Sequence, residues 1–252
     1  MYETILVEKS EDIGILTFNR PEILNAVSVK HMKEICQALR EQGSDNDVKA
    51  VVMTGAGRAF SAGFELGDDS VLPEASEYFC SFEVEDTIMS FEKPLIAAVN
   101  GAAIGQGLQH AMLCDFIIAS EKAKFGFWAP RIGGLCHVGV WLLAQIVGRN
   151  RANELLLTCD GFGADEAYRI GLVNKVVPHE QLMPEALETA ERISYMAPLS
   201  IKFTKRALMR NLFDSELKSF LREAMEVLFS SEDCKDALKA FKEHRDPVFK
   251  GL

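Results

Sequence analysis

The spacing of hydrophobic positions changes along this chain, and the changes mark its elements. Ile5–Val7 and Ile13–Phe18 read as short strands joined by a charged turn, Glu8–Asp12. Asn19-Arg20-Pro21 breaks the second strand. Ser28 is placed to cap a helix from Val29 to about Glu41, whose Met32, Ile35, Cys36 and Leu39 share one face. Val48–Thr54 and Leu95–Val99 are unbroken apolar runs of strand length, which suits strands buried on both faces. Further strands are expected at Phe116–Ala119, Lys124–Phe127 and Leu172–Val177. Helices are expected at Phe79–Phe91, with Pro94 as the stop, and at Gly105–Cys114, Val138–Val147, Ala152–Leu157 and Ala164–Ile170.

From Leu182 onward the pattern is helical only, through Met183–Ala197, Pro198–Arg210, Ser215–Phe229 and Cys234–Glu243. Strands and helices alternate first and helices follow alone. This predicts an α/β core over residues 1–195 and an all-helical region over residues 196–252. The chain shows no fixed-period repeat and no low-complexity linker.

Composition narrows the field. The 252 residues carry a formal net charge of -10, which argues against nucleic acid as a partner, since phosphate binding wants a basic face. The segment MYETILVEKSEDIG lacks the basic and long apolar regions of a signal peptide, and no run reaches the length of a membrane span. The six cysteines are scattered with no CxxC pair, so they read as free thiols in a reducing, cytoplasmic compartment. No disulfide framework and no membrane partner are expected.

Two loops share a design. Val48–Thr54 leads into GAGRAFSAGFELGDD, and Leu95–Val99 leads into NGAAIGQGLQ. Ligands of open α/β sheets gather at the carboxyl ends of strands. Two such turns side by side can aim two backbone N–H groups at one oxygen, an oxyanion hole worth about 3–4 kcal/mol per donor. Taken singly, each loop is better served by the plainer account that its glycines make tight turns.

Together with their surroundings these loops resemble the crotonase family, the enoyl-CoA hydratase/isomerase superfamily. The likeness is carried by FNRPEILNAV (18–27), GRAFSAGFEL (57–66), KPLIAAVNGAAIGQG with Cys114-Asp115, LTCDGFGADEAYRIGLVNKVV (157–177) and the tail DALKAFKEHRDPVF. It covers essentially the whole chain. The resemblance implies a spiral of ββα units with a C-terminal helical region that packs homotrimers, often paired as hexamers. It implies an acyl-CoA thioester substrate, with CoA belonging to the substrate and no separate cofactor or metal. The oxyanion donors would be the backbone N–H groups of Phe64 and Gln106, the latter usually a glycine in the family. CoA would run past Leu24, Ala26, Ala62, Phe64 and Leu66, and its nucleotide end would meet Lys239 and Phe249.

The departures concern the chemistry. Hydratases of the family use two glutamates, and the matching positions here are Gln109 and Ala129. Neither side chain is a general base. His137, in GGLCHVGVW, stands where isomerising or dehalogenating members hold a working carboxylate, and a histidine can move protons near neutral pH. Gln109 is a candidate to hydrogen-bond substrate or water. Cys136 reads as a buried thiol, and Glu65 as a residue that orients the first loop. Asp68 and Asp69 read as solvated or as reaching the acyl group. Phe127, Trp128 and Trp141 line an acyl pocket or belong to the core. His110 is expected to point elsewhere than Gln109, since adjacent helical positions do not face each other. An isomerase-, lyase- or hydrolase-type reaction is therefore expected. The alternatives are a hydratase with a variant site and a catalytically silent acyl-CoA-binding subunit.

Overall fold

A computed structural model describes residues 2–65, 82–132 and 136–210, together with residues 232, 233, 236, 240, 243, 245, 248, 250 and 251. β1 (Ile5–Ser10) and β2 (Ile13–Phe18) pair antiparallel. α1 (Val29–Ser44) follows, and Ser28 caps it as the sequence suggested, its side chain accepting the His31 N–H. Next come β3 (Ala50–Gly55), β4 (Ala59–Ser61), α2 (Glu83–Ser90), β5 (Leu95–Val99), β6 (Ala102–Ile104) and α3 (Gln106–Leu113). β7 (Phe116–Ser120), β8 (Lys124–Gly126), a π-helical turn (Gly139–Leu143), α4 (Ala144–Val147) and α5 (Arg149–Thr158) lie beyond. β9 (Phe162–Gly163), α6 (Ala164–Arg169), β10 (Lys175–Val177), α7 (Leu182–Ser194) and α8 (Pro198–Arg210) complete the described elements.

The strands form two sheets, in the orders β1-β2-β3-β5-β7-β10 and β4-β6-β8-β9. Beyond the opening hairpin, the first sheet is parallel. Three times in succession a long strand of the first sheet runs through a turn into a three-residue strand of the second: β3 into β4, β5 into β6, β7 into β8. This is the ββα spiral. β4, β6 and β9 escape a reading by pattern because two or three residues in a glycine-rich segment show no period.

β3 illustrates why the first sheet forms. Ala50 and Val52 face a cluster with Ile13, Ile96, Ala98 and Ile118, which α7 covers through Leu182, Ala186 and Ala190. Val51 and Met53 face the larger cluster with Met32, Ile35 and Leu39 of α1. Both faces are buried, so the strand is apolar throughout.

The helix expected over Val138–Val147 is present, with a π-helical stretch over Gly139–Leu143 that passes into α4 at Ala144. Two expected boundaries shift. The strand expected from Leu172 begins at Lys175, because the Leu172 and Val173 N–H groups both turn back to the Ala167 carbonyl. Ala102–Ile104, inside the second loop, is a strand and α3 starts after it.

α8 is fastened to the core by a buried lysine, beside ion pairs from Lys202 and Arg206 to Glu92. Lys205 Nζ is buried and reaches Asp115 Oδ2 and the Lys93 carbonyl, each at 2.7 Å. Asp115 also accepts the Leu95 N–H at 2.7 Å. Burial pushes the Asp115 carboxyl up, against the opposing pull of Lys205. Among the described residues no helix is long and apolar enough to cross a membrane.

Candidate active site

The first loop is shaped by a web of hydrogen bonds to the opening segment. Asn25, itself left-handed at φ 55, donates from Nδ2 to the Ala56 and Ala59 carbonyls and accepts the Arg20 N–H. The Ala62 N–H donates to the Leu24 carbonyl at 2.9 Å. Val27 bridges Phe64 in parallel fashion, through Val27 N–H to Gly63 O and Glu65 N–H to Val27 O. Phe64's own N–H is thereby directed to the opposite side. Arg20 then clamps the loop from outside, reaching Glu65 Oε2 at 2.7 Å and the Ala26 carbonyl at 3.0 Å. The structure thus brings Leu24, Ala26, Ala62 and Phe64 together, and all four remain half-buried. Leu66, Asp68, Asp69, Lys239 and Phe249 lie outside the described residues.

The two loops abut. Gly63 has φ 95, and a Cβ there would stand 2.8 Å from the Ile104 carbonyl and 3.6 Å from the Gln106 nitrogen. Gly107 is pressed on β4 in the same way, since a Cβ there would meet the Ser61 Cβ at 2.5 Å. Only glycine permits both approaches. They hold the first loop at Gly63 against Gln106, the first residue of α3, where backbone N–H groups have no helical acceptor.

Behind this pair lies a buried polar network. The Gln106 amide nitrogen donates to Glu85 Oε1 at 3.2 Å and lies 3.0 Å from His110 Nε2. Gln106 Oε1 accepts from Gln109 Nε2 at 3.1 Å. Gln109 Oε1 in turn accepts the backbone N–H groups of Val138, at 2.8 Å, and Gly139, at 3.4 Å. Glu85 Oε1 pairs with His137 Nε2 at 2.7 Å. An amide nitrogen can only donate, so His110 Nε2 is the acceptor and its proton sits on Nδ1. Burial lowers the His110 pKa to about 4, partly offset by Glu85, so this ring is neutral. Glu85 is almost wholly buried. Desolvation works to raise its carboxyl, yet the bond from His137 and the nearby His110 and backbone hold it below the ordinary glutamate value.

Several sequence expectations acquire definite places here. His137 joins the network from the helix start just before the π-helical segment, half-buried, with the Phe82 ring edge-on at 5.7 Å. Insertions of this helical type gather at functional sites. Gln109 spends both ends of its amide on protein partners. His110 does not avoid the Gln109 cluster as expected. The two do not face each other, but each reaches Gln106, from three and four residues along α3. Trp128 is largely exposed, its indole lying on Gly126, and Trp141 is exposed as well. Phe127 is core. Cys136 is buried and desolvation raises its pKa, which keeps it a thiol. Ala129 offers only a methyl group. Among the described residues no cluster of side chains fits a metal ion.

Glu85 was not legible as a site residue. Its helix, EVEDTIMS, buries Val84 and Ile88, and Glu85 lies on the same stripe one residue after the first and three before the second. A carboxylate on the apolar side of a helix was the available signal.

Fold and site together describe an α/β protein whose two glycine loops abut between consecutive spiral turns. The enoyl-CoA hydratase/isomerase family model matches residues 8–252, and the chain belongs to that family. It is 39% identical over 251 residues to a short-chain-enoyl-CoA hydratase of Clostridium acetobutylicum, covering 96% of this chain and 95% of the relative. It is 38% identical over 258 residues to a crotonyl-CoA hydratase of Syntrophomonas wolfei, covering 98% of each. The crystal structure of an enoyl-CoA hydratase from Bacillus anthracis superposes with a TM-score of 0.92 at 28% identity, over 99% of this chain and 100% of that one. The protein is thus an acyl-CoA enzyme of the hydratase/isomerase type.

Proposed function

We propose that this enzyme moves a double bond within an acyl-CoA thioester, using His137 to take a proton from one carbon and deliver one to another. The reading is supported by the close approach of Gly63 to Gln106, whose side chain belongs to the network that ends in His137. A 3-enoyl thioester would lose a Cα proton to His137. Its thioester oxygen would take up negative charge between the Phe64 and Gln106 N–H groups. Return to Cγ of a proton from the imidazolium, after exchange with solvent, gives the conjugated 2-enoyl ester, balanced in atoms and charge and calling on no separate cofactor. Water addition needs a group that deprotonates water and one that protonates carbon. Gln109 and Ala129 supply neither.

The same enolate chemistry also serves lyase- or hydrolase-type steps. The names of the relatives favour a second reading, hydration with a variant set of groups. The C-terminal region from residue 196 is proposed to pack a homotrimer or a dimer of trimers, checked by light scattering.

Mass spectrometry on a panel of CoA thioesters incubated in D2O tests the reading, with His137→Ala beside the wild type. The panel includes saturated, 2-enoyl, 3-enoyl, malonyl-type and aromatic esters. The expected result is deuterium uptake and a shifted double bond, both lost in the variant. Added water on a 2-enoyl ester would replace this reading with the hydratase one. Binding without any change would make the protein a silent acyl-CoA-binding subunit.

A further inference from the structure

We infer that Glu85 is the positioning residue of the site, a carboxylate that fixes the His137 imidazole with its proton on Nε2 and its lone pair on Nδ1. The assignment rests on the proposed use of His137 as the proton carrier, but its geometry stands apart from that use. Glu85 Oε1 and His137 Nε2 are 2.7 Å apart, a charge-assisted distance, and the carboxylate is buried within α2 rather than solvated. Placing a glutamate there is costly unless its oxygens are satisfied. Glu85 Oε1 meets this through two side chains, His137 and Gln106.

The arrangement has a chemical consequence. A neutral imidazole held by a carboxylate at one nitrogen is a single tautomer, and the other nitrogen takes the proton. When it does so, the imidazolium forms beside a fixed negative charge. The same carboxylate oxygen steadies Gln106, whose backbone N–H is the second oxyanion donor. The proton carrier and the anion receptor are therefore tied to one atom from α2, far in sequence from both. A carboxylate is thus present in the site after all, on a different element from the two positions where the resemblance looked for it.

Two measurements on the full-length protein test this. Long-range 1H–15N correlation of labelled histidine rings reports the His137 tautomer, expected as Nε2–H in the wild type and as a mixture in Glu85→Ala. Kinetics on a 3-enoyl-CoA ester should show kcat reduced about 10²–10⁴-fold in Glu85→Ala with KM changed little, the scale of a lost proton-transfer group. Glu85→Asp should recover part of the loss. Glu85→Gln matches the shape of glutamate and guards against misfolding. It should keep the tautomer yet lose rate, because the imidazolium loses its counter-charge.

A wild-type kcat in Glu85→Ala, or an Nδ1–H tautomer in the wild type, overturns the assignment. So does a His137→Ala enzyme that stays active while Glu85→Gln is dead, since the carboxylate would then be the base itself. A wild type that leaves every ester unchanged sinks the isomerase reading alone, and the ring tautomer then decides the Glu85 assignment by itself.

Discussion

Gln109 Oε1 accepts the Val138 backbone N–H at 2.8 Å, which makes a glutamine on α3 the support for the helix start that carries His137. The position where the family likeness looks for a glutamate is occupied by a strut. Its length and its oxygen are what the fold uses, and its nitrogen reaches back to Gln106.

Restoring a carboxylate there should not restore water addition. In Q109E the new carboxylate would be held by the same two backbone N–H groups, which favour its ionised form and make it a poor base. The Gln109–Gln106 hydrogen bond would be lost as well. Hydration of crotonyl-CoA by Q109E, followed by loss of enoyl absorbance, is expected to stay at the wild-type level.

Gly63→Ala should damage catalysis more than folding. A methyl group would stand 2.8 Å from the Ile104 carbonyl, at a φ that side chains rarely adopt. The loops must part to admit it, and the two N–H groups then diverge. Turnover should fall about 10²–10³-fold, the cost of losing one oxyanion donor, while the far-ultraviolet circular dichroism is retained.

Lys205→Ala should destabilise the protein by about 3–5 kcal/mol in urea unfolding, because Asp115 is left buried without its partner. Pairing it with Asp115→Asn should recover part of the loss, which identifies the stranded charge as the cause.

Acid should weaken the fold through His31. Both ring nitrogens are buried without a hydrogen-bond partner, the Phe18 ring lies 4.8 Å away, and burial lowers the pKa to about 3. Below about pH 6.5 the unfolded chain binds a proton that the folded ring refuses. The stabilisation is therefore complete above that pH and is lost as pH falls toward 3, at up to about 1.4 kcal/mol per pH unit. His31→Leu should remove this part of the slope between pH 7 and 5 and cost little at pH 7. Urea unfolding at both pH values gives the comparison.

What the sequence disclosed and what it hid follow one physical line. Val48–Thr54 and Leu95–Val99 were readable because a strand buried on two faces has no polar positions. The glycine loops were readable because close approach leaves a residue type behind. The network was not. Gln109 finds its acceptor role with residues 29 and 30 positions later, and Glu85 meets His137 across 52. Pairings of that range leave no local period, and a glutamate beside solvated Glu83 and Asp86 reads as one more surface charge.

The repeated passage from a long strand into a short one has a consequence for how this enzyme can change. Phe64 and Gln106 follow β4 and β6, which are neighbours in the second sheet. The proposed anion receptor is thus a by-product of periodicity, written in main chain and largely indifferent to which side chains surround it. The proposed proton-handling groups come from α2 and from the helical segment that opens at His137, outside that repeat. One part is inherited with the architecture and the other can be exchanged, so a new reaction calls for a few replaced side chains and no new fold.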